Sequence, residues 1–114
     1  MPRTELVLSG YRGMWLMAMF DLPTVTKPEK RRYVQFRNML LDEGFSMLQF
    51  SVYARYCASE EIAQRYRATI RKALPPAGSV RVFSITDIQF GRMENYVGKK
   101  DVEPEKRPKQ LLLF

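Results

Sequence analysis

The fold is decided by the stretch MWLMAMFDLPTVTKPE, which runs from Met14 to Glu29. Its first half, up to Asp21, is apolar at nearly every position, which is typical of a strand covered on both faces in the middle of a sheet. Pro23 cannot continue strand pairing, because it has no backbone N–H. Thr26 followed by Glu29 has the spacing of a capping box. The stretch therefore predicts a central strand that ends at Asp21 and a helix that begins after Thr26.

The predicted helix has an apolar stripe that indicates which side faces the core. Tyr33, Phe36 and Leu40 repeat at helical spacing along it. Gly44 can adopt the left-handed conformation that ends many helices. We therefore expect the helix to end near Glu43.

The remaining strands and the second helix are predicted from similar patterns. The aromatic and β-branched segment FSMLQFSVYARY, residues 45–56, predicts either two short consecutive strands or one strongly bent strand. Ser59 can cap a second helix, whose core stripe again has helical spacing: Ile62, Tyr66, Ile70 and Ala73. The run SVRVFSI at 79–85 predicts the last strand. This β-α-β-β-α-β order indicates an α+β sandwich with both helices on one face of the sheet.

The two ends of the chain are interpreted separately. We expect one domain over residues 1–98, with a lead-in at its start, and a linker followed by a docking strand over residues 99–114. Residues 99–110 are polar and interrupted by proline, which is typical of a linker. The last residues are apolar and are expected to pair as a strand at a sheet edge, either across a two-fold interface or on their own domain: Leu111, Leu112, Leu113 and Phe114.

The charge of the chain favours nucleic acid as a partner. The sequence has 19 Lys and Arg residues against 12 Asp and Glu residues, and its formal net charge is +7. Such a balance attracts polyanions through phosphate contacts and counterion release. Many soluble proteins are basic without binding nucleic acid, so the positions of the charges must decide between these interpretations.

Cysteine and histidine usage excludes several kinds of chemistry. The single Cys57 cannot form a disulfide within the chain, and the sequence has no His. Structural zinc sites and His-dependent catalysis are therefore excluded, which leaves carboxylates, hydroxyls and bound cations as catalytic groups. Since no apolar run is long enough to span a bilayer either, we expect a cytoplasmic protein.

Asp21 is the candidate metal-binding and catalytic residue. It stands at the end of the buried strand, where side chains emerge from a sheet. Mg²⁺ is commonly held by one or two carboxylates and water, so a symmetric dimer that brings two copies of Asp21 together could bind the ion. The alternative is that Asp21 caps the following turn with its own side chain.

A stripe of basic residues is the candidate nucleic-acid-binding surface. It lies on the first predicted helix, where Lys27, Lys30 and Arg31 are opposite the core stripe and Arg37 is at the edge. Weaker candidates lie near strand ends and on the second helix: Arg12, Arg55, Arg65, Arg71 and Lys72. These side chains could follow a phosphate backbone without reading sequence. A solvated helix face explains the same pattern and stays open.

The aromatic residues do not form the motif that sheet-face RNA readers use. Phe50, Tyr53 and Phe83 are therefore predicted to be core or interface residues. An RNA-binding module without enzymatic activity is a further hypothesis, but it requires exposed aromatic rings on which bases can stack.

Three stretches of the sequence resemble one known family. MFDLPT at 19–24, FRNMLLDEGFSMLQFSVYAR at 36–55 and VRVFSITDIQFGRM at 80–93 together resemble the CRISPR-associated Cas2 family, in the branch that accompanies the single large RNA-guided nuclease. Other members more often have a Tyr where this chain has Phe20.

The resemblance implies a ferredoxin-like homodimer that acts in spacer acquisition. In such a complex the dimer sits between two dimers of the CRISPR integrase Cas1 and holds double-stranded prespacer DNA. The resemblance also implies a second activity, that of a magnesium-dependent endoribonuclease or endodeoxyribonuclease in which Asp21 of each protomer binds the metal. Finally, it implies that the C-terminal strand, here Leu111 to Phe114, crosses to the other protomer and helps to dock the integrase.

Overall fold

The computed structural model describes residues 13–98 and the backbone of residues 100–102. The predicted sites at Arg12 and at 111–114 lie outside the described residues, as does most of the expected linker. Within the described part of the chain, no helix has the length and apolar character needed to cross a membrane.

The described elements begin with the predicted β-α-β-β-α-β order and continue beyond it. In chain order they are β1 (Met14–Asp21), α1 (Lys27–Asp42), β2 (Ser46–Gln49), β3 (Val52–Cys57), α2 (Glu60–Lys72), β4 (Ser79–Thr86), α3 (Asp87–Gly91), β5 (Asn95–Val97) and β6 (Lys100–Val102). The segment 45–56 thus forms two strands, not one bent strand.

The first four strands form one antiparallel sheet in the order β2-β3-β1-β4. β1 is central and pairs with β3 on one side and with β4 on the other. Each long helix connects two strands that are parallel to each other and separated by a third, which is the arrangement of a ferredoxin-like sandwich. The fold class predicted from the order of elements is therefore confirmed.

A separate hairpin spans the position at which the linker is expected to begin. β6 pairs antiparallel with β5, and Gly98 in the turn between them has a φ of 65°. Glycine adopts this left-handed conformation without strain, so a tight turn can form here. Residues 100–102 are therefore strand residues, although the polar composition from 99 onwards indicated a linker.

Both long helices cover the same face of the sheet, as predicted. On β1, alternate side chains point to this face: Leu16, Ala18 and Phe20. They pack against buried side chains of β3, α1 and α2: Tyr53, Cys57, Phe36, Leu40, Ala63 and Ile70. The stripes predicted for the two helices therefore mark their core sides correctly.

The start and end of α1 also follow the predicted local signals. Thr26 Oγ accepts a hydrogen bond from the Glu29 backbone N–H at 3.2 Å, and the Glu29 carboxylate accepts one from the Thr26 N–H at 2.9 Å. This is the complete capping box. Beyond the last turn, Gly44 has a φ of 87°, so the left-handed stop is present as well.

The opposite side of the sheet, which we call the outer face, is covered only in part. Its β1 side chains are those of Trp15, Met17, Met19 and Asp21. Trp15 and Met17 are buried beneath the short helix α3, whose Phe90 belongs to the same cluster. Met19, by contrast, is 37% exposed. The prediction of a strand covered on both faces therefore holds only for residues 15–18.

Candidate functional site

Asp21 lies at the uncovered end of the outer face. It is the last residue of β1, and it is opposite Ser79 in the β4 ladder. The residue is exposed. Leu22 and Pro23 then lead the chain away from the sheet toward α1, so the carboxylate remains where a ligand can reach it.

Asp21 lines an open groove of about 460 Å³ at this end of the sheet. The end of β1 forms the floor, the turn between β2 and β3 forms one wall, and the start of β4 forms the other. The lining residues are Met19, Phe20, Asp21, Phe50, Ser51, Val52, Ser79 and Arg81. Among these described residues, Asp21 is the one carboxylate and Arg81 is the one cation. The groove thus combines an acidic group, a basic group and an aromatic ring.

The aromatic wall of the groove is Phe50, which is 78% exposed. One face of its ring stacks on Tyr33 of α1, with ring centroids 5.7 Å apart and planes inclined by 17°. The Tyr33 hydroxyl shares a hydrogen bond of 3.1 Å with Ser51 Oγ, and the Ser51 carbonyl accepts one of 3.1 Å from the Phe20 N–H. The turn that carries Phe50 is therefore tied both to α1 and to the end of β1.

The three aromatic residues predicted to be core or interface residues have different environments. Tyr53 is completely buried, which confirms the prediction for this residue. Phe83 is opposite Met17 on the outer face and is 41% exposed. Phe50 lies outside the core altogether, because it occupies the turn between two strands and not a position on either.

Phe20 stands immediately before Asp21 but does not offer a reactive group. Its ring is buried and packs against Phe36 and Tyr53, with centroids 5.1 and 5.6 Å away. A Tyr at this position would bring a hydroxyl, whereas Phe20 brings none. Any chemistry at Asp21 in this chain therefore proceeds without help from a phenol at that position.

The described residues place one carboxylate per chain in the groove. They contain no group of three or more acidic, Cys or His side chains that could hold a metal ion together. Mg²⁺ keeps several waters and needs only one or two carboxylates, so the exposed Asp21 fits a water-rich ion if a second copy supplies another carboxylate. The part of a single copy that the structure describes does not form a closed metal cage.

The predicted basic stripe lies on the side of α1 that faces away from the sheet. Lys27, Lys30 and Arg31 are exposed, and Arg37 is half-buried. Lys30 and Arg31 share one side of the helix with Lys27, because they follow it by three and four residues. Arg37 lies at the edge of that side, while Phe36 and Leu40 point to the core. None of the four basic residues lines the Asp21 groove.

Arg55 differs from the stripe because its guanidinium contacts its own fold. Nε donates to the Glu43 carbonyl at 2.8 Å and Nη1 donates to the Tyr56 carbonyl at 2.6 Å. The guanidinium carbon also lies 4.1 Å from the ring centroid of Tyr66. These contacts explain an arginine at this position without a nucleic acid.

Cys57 has the character of a core residue. It is fully buried among the side chains between the sheet and the helices. Burial raises the pKa of the Cys57 thiol, because the thiolate would lose its hydration. The thiol is therefore protonated at neutral pH and is unsuited to nucleophilic chemistry.

Sequence interpretation missed two of the groove residues, Phe50 as a groove wall and Arg81. Arg81 pairs with Met19 in the β1–β4 ladder and so shares the outer face with Asp21. Alternation along the last predicted strand could have assigned Arg81 to a face, but not to a partner. The exposure of Phe50 was harder to predict, because the sequence did not decide whether the segment 45–56 contains a turn.

Comparisons with known proteins agree on one family. The family described as CRISPR associated protein Cas2 matches residues 14–93. A protein of Flavobacterium psychrophilum named CRISPR-associated endoribonuclease Cas2 is 50% identical over 107 residues, which are 94% of this chain and 93% of that protein. One of the same name from Parvibaculum lavamentivorans is 48% identical over 101 residues, which are 89% of this chain and all of that protein.

A solved structure supports the same fold. It is described as a crystal structure of cas2, and the match covers 84% of this chain and 98% of that one with a TM-score of 0.54. The two sequences are 13% identical, so the similarity concerns the arrangement of strands and helices only.

Proposed function

Because the chain belongs to the CRISPR-associated protein Cas2 family, we propose that it is a dimeric subunit of the CRISPR adaptation complex. In this role it holds duplex prespacer DNA while the integrase Cas1 inserts the new spacer, as part of antiviral defence. The observation that carries the proposal is the basic stripe on α1, in which Lys27, Lys30 and Arg31 are exposed and Arg37 is half-buried.

The stripe suits a duplex because its contacts would be electrostatic. Lys and Arg side chains along one side of a helix can neutralise successive phosphates, which releases counterions and favours binding. Contacts to phosphates hold a duplex in position without selecting its sequence, which is what a subunit that accepts any foreign DNA requires. The net charge of +7 adds a long-range attraction for the same ligand.

The outer face of the sheet supports dimer formation. Met19 and Phe83 are exposed on it, close to buried apolar neighbours of the same face. Packing this face against that of a second copy would remove apolar surface from water, which favours association. A symmetric contact here would also bring the two copies of Asp21 toward each other.

The proposal is tested by removing charge from the stripe. In Lys30→Gln/Arg31→Gln we expect weaker binding to duplex DNA, and a slope of log Kd against log salt that is smaller by about 1 for each phosphate that is no longer neutralised. The matched control is Arg71→Gln/Lys72→Gln, which removes the same two charges from the exposed end of α2. Equal weakening in both double variants would show that net charge alone attracts the DNA, and the stripe would then have no special role.

A second candidate function is metal-dependent cleavage of nucleic acid. The relatives are named as endoribonucleases, which favours this function. The exposed carboxylate of Asp21 in the groove favours it as well. A Mg²⁺ ion bound there would activate water and stabilise charge on the phosphate. In the chain itself, Asp21 would hold the ion and Arg81 would attract the phosphate to the groove.

Asp21→Asn separates the two functions. If the holding role is the main one, Asp21→Asn leaves duplex affinity and spacer acquisition nearly unchanged. If cleavage is the main role, RNA or DNA cleavage requires added Mg²⁺ and is lost in Asp21→Asn, but it persists in the control Asp42→Asn, which alters an exposed carboxylate at the end of α1. Loss of acquisition in Asp21→Asn with unchanged duplex binding would reverse our ranking.

A further inference from the structure

We propose that a groove between α1 and the end of α2 binds an extended acidic segment of a partner protein, with a carboxylate at Arg32 and an aliphatic side chain on Leu74. We call it the helix-side groove, because Phe36, which lines it, packs in the core between the sheet and the helices. It shares no lining residue with the Asp21 groove. The proposal does not depend on whether the chain binds nucleic acid.

The helix-side groove has the size of a binding site for a short segment. Its volume is about 410 Å³, within the range of about 300–1,000 Å³ that is usual for ligand sites. One wall is the side of α1 that carries Arg32, Gln35 and Phe36. The other wall is ALPP, residues 73–76, in which the C-cap of α2 passes into the following turn.

The first argument is an arginine without an ionic partner. Arg32 is exposed and is the one charged residue among the described residues that line the groove. No carboxylate of the described residues forms an ion pair with it. Glu29 lines a small pocket beside Arg32, but its carboxylate accepts hydrogen bonds from the backbone N–H groups of Thr26 and Val25. The guanidinium of Arg32 is therefore available to bind a carboxylate with two parallel donors.

The second argument is the apolar wall opposite the arginine. Leu74 is 48% exposed, and it is followed by Pro75, which is half-buried, and Pro76, which is exposed. Covering this surface with an aliphatic side chain would remove it from water, which favours binding. Proline fixes the backbone φ angle, so a Pro-Pro wall loses little conformational freedom when a ligand binds.

The groove fits a protein segment better than a nucleic acid. Arg32 follows Lys27 by five residues, so it is turned by about 140° around the helix, away from the basic stripe. One cation beside an apolar wall suits one carboxylate, whereas a phosphate backbone is bound by a row of cations. Phe36 is the one aromatic residue among the described lining residues, and it is 2% exposed, so a base cannot stack on its ring.

The polar side chain in the groove also suits a peptide. Gln35 is exposed, and its side-chain amide can both donate to and accept from the backbone of an extended segment. The groove lies on the helix side of the sheet, whereas Met19 and Phe83 are on the outer face. A dimer that forms through the outer face would therefore leave the groove accessible.

The test measures binding of the full chain to labelled peptides by fluorescence anisotropy. The probe is a fluorescein-labelled peptide of about ten residues, in which Glu alternates with Leu and Pro, and the control peptide has Gln in place of each Glu. A salt concentration of about 0.1 M limits the long-range attraction due to the net charge of +7. We expect the Gln peptide to bind at least about tenfold more weakly than the Glu peptide. Equal binding of the two peptides would overturn the proposal.

Variants of the two walls test the position of the peptide. Arg32→Gln and Leu74→Ala should each weaken binding of the Glu peptide by about tenfold. The matched controls are Arg65→Gln, at an exposed position of α2, and Leu41→Ala, at a 39% exposed position of α1. Neither control residue lines the groove, so both variants should stay within about twofold of the wild type.

Three results with these variants would overturn the proposal. Equal weakening in Arg32→Gln and Arg65→Gln would show that net charge alone attracts the peptide. Weakening in Arg32→Gln with no effect of Leu74→Ala would reduce the site to a simple contact with an anion. A loss of duplex DNA affinity in Arg32→Gln as large as the loss of peptide affinity would assign Arg32 to the nucleic acid. If the peptide fails to bind while the wild type binds duplex DNA, this inference fails and the proposed function stands.

The rival occupant is an acidic segment of the chain itself. Residues 103–105 have the sequence EPE and lie outside the described residues. Glu103→Gln/Glu105→Gln should leave the affinity for the Glu peptide unchanged, because the proposed occupant comes from another protein. Clearly tighter peptide binding in this double variant would show that the chain's own segment competes for the groove, and it would overturn the assignment to a partner protein.

Discussion

The two ends of β1 differ sharply on the outer face of the sheet. At one end Trp15 is completely buried, its ring stacks on Phe90 with centroids 3.9 Å apart, and its Nε1 donates to Asp87 Oδ1 at 2.9 Å. At the other end Asp21 is exposed and lies in a groove beside the exposed ring of Phe50. The same strand thus has one closed end and one open end on the same face.

This difference indicates that the closed end of β1 contributes mainly to stability and the open end mainly to function. The closed end gains from apolar burial, from ring stacking and from one hydrogen bond, all within the chain. At the open end a carboxylate, an arginine and an aromatic ring are exposed, so this end retains groups that can act on a ligand. We therefore expect substitutions at the closed end to affect unfolding, and substitutions at the open end to affect binding.

The largest effect is expected at Trp15. Trp15→Ala should lower the free energy of unfolding by about 3–5 kcal/mol, because it removes a fully buried ring from between the sheet and α3. Asp21→Asn, at the open end of the same strand, should stay within about 0.5 kcal/mol of the wild type. Urea denaturation followed by circular dichroism measures both values.

A milder variant sharpens the same comparison. Trp15→Phe keeps a ring that can stack on Phe90 but removes the indole N–H that donates to Asp87. It should destabilise clearly less than Trp15→Ala. If the two Trp15 variants were equal, or if Asp21→Asn cost as much as Trp15→Ala, the distinction between a closed and an open end would not hold.

A smaller effect on the free energy of unfolding is expected at Gly78, whose backbone lies against the open end of β1. Gly78 has a φ of 95°, and a Cβ atom there would lie 2.7 Å from the Asp21 carbonyl oxygen and 2.8 Å from a Leu22 methyl carbon. Gly78→Ala should therefore lower the free energy of unfolding by about 2–3 kcal/mol, since conformational strain of ~1–2 kcal/mol adds to a collision with backbone. It should also disturb the position of Asp21.

Gly98 is the matched control for this prediction. It also has a left-handed conformation, with a φ of 65°, but a Cβ atom there would meet no described atom within 4 Å. Gly98→Ala should thus cost only the strain, about 1 kcal/mol. If thermal or urea denaturation gave the same decrease for both variants, close packing against the end of β1 would not be the reason for glycine at 78.

Much of the fold could be predicted because its signals are local. The run from Met14 to Asp21, the capping box at Thr26 and the stripe around Phe36 each lie within one element, and each predicted its element correctly. Helix and strand periodicities depend on which neighbours share a face, and this is decided within a few residues. Asp21 could be found in the same way, from its position at the end of an apolar run.

The parts that were missed depend on contacts between distant segments. Whether Phe50 is covered depends on the packing of α1 against the β2–β3 turn, and the pairing of Arg81 with Met19 depends on the sheet order. The helix α3 did have a local signal, since Thr86 and Gln89 form a capping box. Its packing on Trp15 could not be inferred, because the two residues of that stack are far apart in the sequence.

The smallest effect concerns the start of α1, the helix that follows the open end. The carboxylate of Glu29 accepts hydrogen bonds from the backbone N–H groups of Thr26 and Val25, at 2.9 and 3.1 Å, and the bond from Thr26 is the main reason that the pKa of Glu29 is lowered from 4.5. A carboxyl with a lowered pKa contributes stability above its unfolded-state pKa, and that contribution is lost as the pH falls through the folded-state value. Glu29 thus stabilises the fold at neutral pH but not in acid.

Two variants test the two hydrogen bonds of this capping box separately. Thr26→Ala removes the side-chain oxygen that accepts from the Glu29 N–H and should cost about 1 kcal/mol. It keeps the Thr26 backbone donor, so the contribution of Glu29 should still disappear below about pH 4.5. Glu29→Gln removes the titrating group, so its stability difference from the wild type should shrink over the same pH range, whereas that of Thr26→Ala should change much less. If both differences followed the same pH curve, the hydroxyl of Thr26, and not its backbone N–H, would be what holds the carboxylate.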